Sequence, residues 1–138
     1  MSRVISLNSP RKQRDQHRRT IAEALRRLTQ KSRIDDEAKD LAALIVFALR
    51  DIADGIEQTT SAWEKRNYYL KADRFRMEWE WVGRAAAELA RLIRAEQWHL
   101  IPPVLGALLP RFSDVTVNKM VRPPSLWRGC YQRLLDEG

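Results

Sequence analysis

The sequence predicts an all-α fold: a long antiparallel helical hairpin (about 34–66 and 68–97) with a basic N-terminal helix and short C-terminal helices, arranged like a four-helix bundle. Three observations carry this expectation. Apolar residues recur at alternating spacings of three and four over two long stretches, which is the helical period. The 138 residues hold only 5 Gly and 6 Pro, too few for a turn-rich β architecture. The apolar fraction of 44% beside a charged fraction of 31% fits a folded globular chain and excludes a disordered or collagenous one. At this length a single helical domain over 1–138 is expected, with 1–9 flexible and 111–124 an irregular connection.

The first helix begins at Ser9-Pro10, an N-cap followed by proline at the first helical position, and runs to about Gln30. Ile21, Ala24, Leu25 and Leu28 form its narrow apolar stripe. The turns before them have little to bury and are expected to project. Asp15 with Arg19, and Glu23 with Arg27, are spaced as i,i+4 pairs on an exposed face.

The second helix starts near Ser32 to Asp35. The acids Asp35, Asp36, Glu37 and Asp40 suit the positive end of its dipole, a simpler account than a cation site. The run LAALIVFAL from Leu41 to Leu49 is apolar on every side, so this helix belongs at the centre. Ile45, Leu49, Ile52, Ile56, Thr59 and Trp63 keep one register past the weak stretch Thr59-Thr60-Ser61. A capping box over Ser61 to Glu64 offers a competing turn at 58–61, whereas Asn67 suits a left-handed turn at 65–68.

The third helix carries the cleanest pattern. Tyr68, Ala72, Phe75, Trp79, Val82, Ala86, Leu89 and Ile93 form a heptad stripe. Leu44, Ile45, Leu49, Ile52, Phe75, Trp79, Val82 and Leu89 are the expected core. Leu70, Met77, Trp81, Ala85 and Leu92 define a second face, which suggests burial by the last helices or by another copy of the chain. Beyond Trp98, Pro102-Pro103 open a short apolar helix closed by Pro110. Ser125 is placed to cap a last helix through Leu126, Trp127, Cys130, Tyr131, Leu134 and Leu135, folded back over the hairpin.

Charge is the most informative functional signal. The net charge is +7, yet residues 1–33 hold ten basic and two acidic residues, while the other 105 hold 15 basic and 16 acidic. A local basic stripe attracts a polyanion more than a diffuse one. Lys12, Arg19, Arg26 and Arg33 recur every seventh residue, flanked by Arg11, Arg14, Arg18 and Arg27. These eight residues are the candidate nucleic-acid contacts, DNA or RNA, through phosphates rather than base edges.

Little else suggests chemistry. Cys130 is the single cysteine, so no disulfide forms within the chain. With two histidines and no paired Glu/His, CxxC, P-loop or nucleophile-elbow motif, neither a metal nor another cofactor is expected, and no catalytic residue is assigned. Asp51, Asp54 and Glu57 read as the wet edge of the second helix. The aromatic residues of 63–81 read as packing rather than base-stacking, and the interleaved Lys71, Arg74 and Arg76 as a self-paired surface. MSRVISLNSP has no apolar signal-peptide core, and no run of about 20 apolar residues occurs, so a cytoplasmic chain away from membranes is expected.

One spacing invites a family comparison. Arg94-Ala-Glu-Gln-Trp-His99 is an RxxxxH at the end of a long helix. It is similar to the motif of the HEPN ribonucleases, helical-bundle proteins whose dimer brings Arg and His to an RNA phosphate. The likeness covers six residues, and Ala95 stands where the family often has a polar residue. It implies a metal-independent ribonuclease using Arg94 and His99. Two other readings rest on composition and pattern: a non-enzymatic nucleic-acid-binding accessory protein, or a homo-oligomeric adaptor meeting protein partners, or its own copy, through helices two and three.

Overall fold

The computed structural model describes residues 9–137, and every regular element among them is helical. Five α-helices follow in order: α1 Pro10–Thr29, α2 Asp36–Lys65, α3 Tyr69–Arg94, α4 Ile101–Leu108 and α5 Cys130–Asp136. Short 3-10 turns occupy Trp98–Leu100, Leu109–Phe112 and Pro124–Leu126. The expected flexibility of 1–9 falls, apart from Ser9, outside the described residues.

Local chemistry sets the helix ends. Ser9 caps α1, its hydroxyl accepting from the Lys12 N–H at 3.2 Å, with Pro10 at the first position. Asp35 caps α2 in the same way, accepting from the Ala38 N–H at 2.8 Å. Lys31 braces that junction against Asp35 and Glu37. The hairpin turns at 66–68, the later of the two sites offered by the sequence. Asn67 adopts φ 65°, and the Tyr68 and Asn67 N–H groups return to the carbonyls of Trp63 and Glu64. The same device ends α3 at Glu96, φ 54°, which is why α3 stops at Arg94 rather than near 97.

The apolar pattern then builds the core. Helix α2, about 45 Å long at 1.5 Å per residue, lies at the centre, with α1, α3 and α5 packed around it. Leu41 to Val46, Ala48 and Leu49 are buried, as a helix apolar on every side requires. Ile21 and Leu25 from α1, Val82, Leu89 and Ile93 from α3, Ile101 and Leu108 from α4, and Leu134 from α5 complete one continuous core. The Tyr131 N–H donates to Asp40 Oδ1 at 3.0 Å, fastening the first turn of α5 to α2.

Four expectations need correction. Phe75 and Trp79 are only half-buried, packed against the core rather than inside it. Tyr68 is exposed, because it is the cap residue of α3, with non-helical angles (φ −91°, ψ 59°), and so leaves the heptad stripe. The tail is not one helix from Ser125: Gly129, at φ 80°, interrupts it and α5 starts at Cys130. The early turns of α1 do not simply project, because Arg14 reaches across to Phe75 and Trp79. The second face of α3 divides along its length. Leu92 is buried and Trp81 packs edge-on against Phe112, whereas Leu70 and Met77 are exposed.

Candidate nucleic-acid interface

The segment 111–128 crosses from α4 to α5 along the outer side of α1, and we call it the strap. Its ends are anchored by the buried rings of Phe112 and Trp127. Arg18 and Arg27 cover those rings, with guanidinium carbons 5.3 and 4.9 Å from the centroids. Between the anchors, α1 side chains hold the strap by its backbone. Arg19 donates to the carbonyls of Thr116 and Lys119, and Arg26 to that of Val117. Arg18 donates to the Arg111 carbonyl and forms a two-pronged pair with Asp114 at 2.7 and 3.0 Å. In return, the Arg122 guanidinium donates to the Thr20 hydroxyl and the Gln16 carbonyl.

Glu23 sits at the centre of this arrangement. It is a buried carboxylate, 2% exposed, facing the strap. One oxygen accepts from the Val121 and Arg122 N–H groups, both at 2.9 Å, and the other from Arg19 Nε at 2.7 Å. Burial pushes its carboxyl up, but the Arg122 N–H, Arg19 and the Val121 N–H outweigh burial and hold it below its ordinary range. The expected surface pair of Glu23 with Arg27 is therefore replaced by a buried pair with Arg19, while Arg27 stacks on Trp127.

The eight predicted contacts divide into two groups. Arg11, Lys12 and Arg33 are exposed and form no ion pair among the described residues. Arg14, Arg18, Arg19, Arg26 and Arg27 are engaged with rings, carbonyls or carboxylates of the chain itself. Carbonyls and rings leave a guanidinium's charge uncompensated, so Arg14, Arg26 and Arg27 still contribute to the field.

The strap adds Arg111, Lys119, Arg122 and Arg128, which the sequence reading missed. They are scattered through a stretch without helical period, so only the fold reveals that they join α1. Residues 9–33 carry nine basic and two acidic residues and residues 111–128 four and one, giving these two segments together +10. The other described residues carry eleven basic and fifteen acidic, a net −4. The molecule is strongly polarised.

The RxxxxH residues occupy a different region. Arg94 donates to the Leu134 carbonyl and pairs with Glu137 at 3.0 Å, which also binds Arg50 at 2.7 Å. His99 is exposed on the 3-10 turn that follows. Among the described residues, no three His, Cys, Asp or Glu side chains gather as a metal site, and no helix is long and apolar enough to cross a membrane.

By its architecture the chain is an all-α, bundle-like protein. Comparison with protein-family models, curated proteins and solved structures finds no match.

Proposed function

We propose that this is a non-enzymatic nucleic-acid-binding protein that grips backbone phosphates with the outer face of α1 and the strap. The observation that carries this reading is the charge partition, +10 over the α1 and strap segments together against −4 over the other described residues. Arg11, Lys12, Arg33, Lys119 and Arg128 are exposed and form no ion pair among the described residues, Arg111 is exposed over the Trp81 ring, and Arg26 and Arg122 keep their charge while bonded to neutral oxygens. A row of this kind reaches phosphates but carries no set of donors and acceptors arranged for base edges, so binding is weakly sequence-selective. Titration of a labelled duplex across a salt series tests it. With about four phosphates neutralised, log K falls with log salt at a slope near −3.6. No binding of either duplex or single strand in about 50 mM salt overturns the proposal, because phosphate contacts are strongest at low salt.

A second reading, a self-associating adaptor, is favoured by one observation: Leu70 and Met77, one above the other on α3, are 63% and 74% exposed. Light scattering of wild type and Met77→Glu at tens of micromolar decides it. A monomer in both cases removes it.

A further inference from the structure

At the closed end of the hairpin, a groove of about 710 Å³ opens between Trp63, Tyr68, Tyr69, Lys71, Arg74 and Phe75. We propose that this groove stacks unpaired bases, so that the preferred ligand is a single-stranded nucleic acid whose phosphates continue onto α1. This inference rests on the phosphate-binding reading given above and adds a base site to it.

The argument begins with the rings. Tyr68 and Tyr69 are 50% and 56% exposed. An aromatic ring held open to water offers a stacking face to any base, whatever its sequence. The left-handed Asn67 sets the Tyr68 backbone, and the Tyr69 hydroxyl lies 3.3 Å from Asn67 Oδ1. Behind them, Trp63, Phe75, Trp79, Trp81 and Phe112 form an unbroken ladder of ring contacts, centroids 5.1 to 6.4 Å apart, which gives the platform a rigid back.

Charge is the second part. Lys71 lies over the Trp63 ring at 4.3 Å, and neither Lys71 nor Arg74 forms an ion pair among the described residues. Arg76, expected to share one self-paired surface with them, pairs with Asp73 at 3.8 Å and more closely with Glu57 and Glu64 of α2. The groove therefore holds exposed aromatic faces beside uncompensated cations, the pairing that unpaired strands require. Duplex DNA keeps its base faces stacked inside and cannot use such a platform.

Continuity with the phosphate face is the third part. Arg14 of α1 lies 5.4 Å from the centroid of Phe75, a wall of the groove, and Arg11 is one turn earlier on the same helix. A strand leaving the tyrosines thus meets Arg14 and then the exposed Arg11 and Lys12. Glu78 also lines the groove, near Arg14, and sets one acidic edge that the backbone must avoid.

The test uses the full chain and three labelled probes with equal phosphate number: a 20-nucleotide oligothymidylate, the same strand lacking all bases, and a duplex. Wild type should bind the oligothymidylate more tightly than the baseless strand, by about 5- to 150-fold for each base stacked. Tyr68→Ala with Tyr69→Ala should erase that difference while leaving affinity for the baseless strand unchanged, and Tyr68→Phe with Tyr69→Phe should preserve it. Both tyrosines are exposed, and circular dichroism of each variant is to be compared with wild type to check that it folds. Equal binding of strands with and without bases overturns this inference and leaves the phosphate reading standing. The same follows if the alanine variant only converts a dimer to a monomer, which makes the groove a protein interface. Failure of all three probes to bind overturns both.

Discussion

The hairpin and the strap are fastened to the molecule by different forces. Helices α2 and α3 meet through buried aliphatic side chains, with Leu49 and Leu89 fully enclosed. The strap has two buried rings at its ends, but its middle is fixed by Glu23 and by arginines aimed at carbonyls. Apolar packing has no group to titrate and no charge to screen, whereas a strap held by charge answers to pH and to ionic strength. The contrast also matters for function, because the arginines that hold the strap belong to the basic face proposed to meet phosphate.

The largest expected effect lies in the hairpin. Leu49→Ala should cost about 2–5 kcal/mol in chemical denaturation, since it leaves a cavity inside the central helix. Trp79→Ala should cost less than the full aromatic-core value, because the ring is only half-buried and Arg14 covers part of it. A Trp79 loss matching that of a fully enclosed side chain would show that the aromatic ladder, not the aliphatic seam, holds α3.

Next in size is the strap. Glu23→Ala removes the acceptor of two backbone N–H groups and one guanidinium, and should cost about 1.5–3 kcal/mol. Helix content should be unchanged while trypsin gains access to Lys119 in the middle of the strap. Acid should do the same. Glu23 is held below its ordinary carboxyl range by bonds that outweigh burial, and Asp114 by its bond to Arg18. A carboxyl lowered on folding contributes its full stabilisation above the unfolded value, near about 4, and loses it as pH falls through the folded one. Asp114 is largely exposed and adds little. The Val121 and Arg122 amide protons should therefore lose exchange protection on acidification before those of α2, and Glu23→Gln should flatten that dependence. Simultaneous loss in strap and α2 would mean that the two regions are one cooperative unit.

A smaller effect belongs to the joint between strap and α5. Gly129→Ala meets no atom within 4 Å of the added methyl, so its cost comes from φ 80° alone. For an L-residue that is about 1–2 kcal/mol. A neutral result in thermal unfolding would show that this joint relaxes freely.

These differences also explain what the sequence disclosed. Helices α1 to α3 were legible because their signals are local and redundant: Ser9-Pro10, Asp35, Asn67 and heptads that agree with one another. The strap was not legible. A carbonyl oxygen is the same at every residue, so the bonds from Arg19 and Arg26 to Thr116, Lys119 and Val117 leave no mark in the strap's sequence. Glu23 four residues from both Arg19 and Arg27 looks like a surface pair, and only burial shows which partner it takes. Tyr68 fits the heptad by spacing and escapes it because a cap residue is not helical. The basic row of the candidate site was visible by charge, but its division into exposed and engaged cations depends on where a distant segment lies.

That division yields the smallest expected stability change and the sharpest use of the comparison. Lys12, Arg19 and Arg26 share one line on α1, and pattern alone treats them as equivalent surface positions. In the structure, Arg11 and Lys12 extend into solvent, while Arg19 and Arg26 hold strap carbonyls. Arg11→Gln with Lys12→Gln should leave unfolding within about 0.5 kcal/mol of wild type, the usual range for surface changes. The same pair should flatten the duplex salt slope by about 1.8, at roughly 0.9 per phosphate contact. Arg19→Gln with Arg26→Gln removes the same charge but also releases carbonyl bonds, so it should lower stability and expose the strap to trypsin. If both pairs flatten the slope while only the second loosens the strap, the basic face has two parts: cations free to meet phosphate, and cations that shape the surface they share. If the two pairs behave alike in both assays, the bonds from Arg19 and Arg26 contribute nothing measurable, and Glu23, the two buried rings and the bonds of Arg18 and Arg122 hold the strap without them.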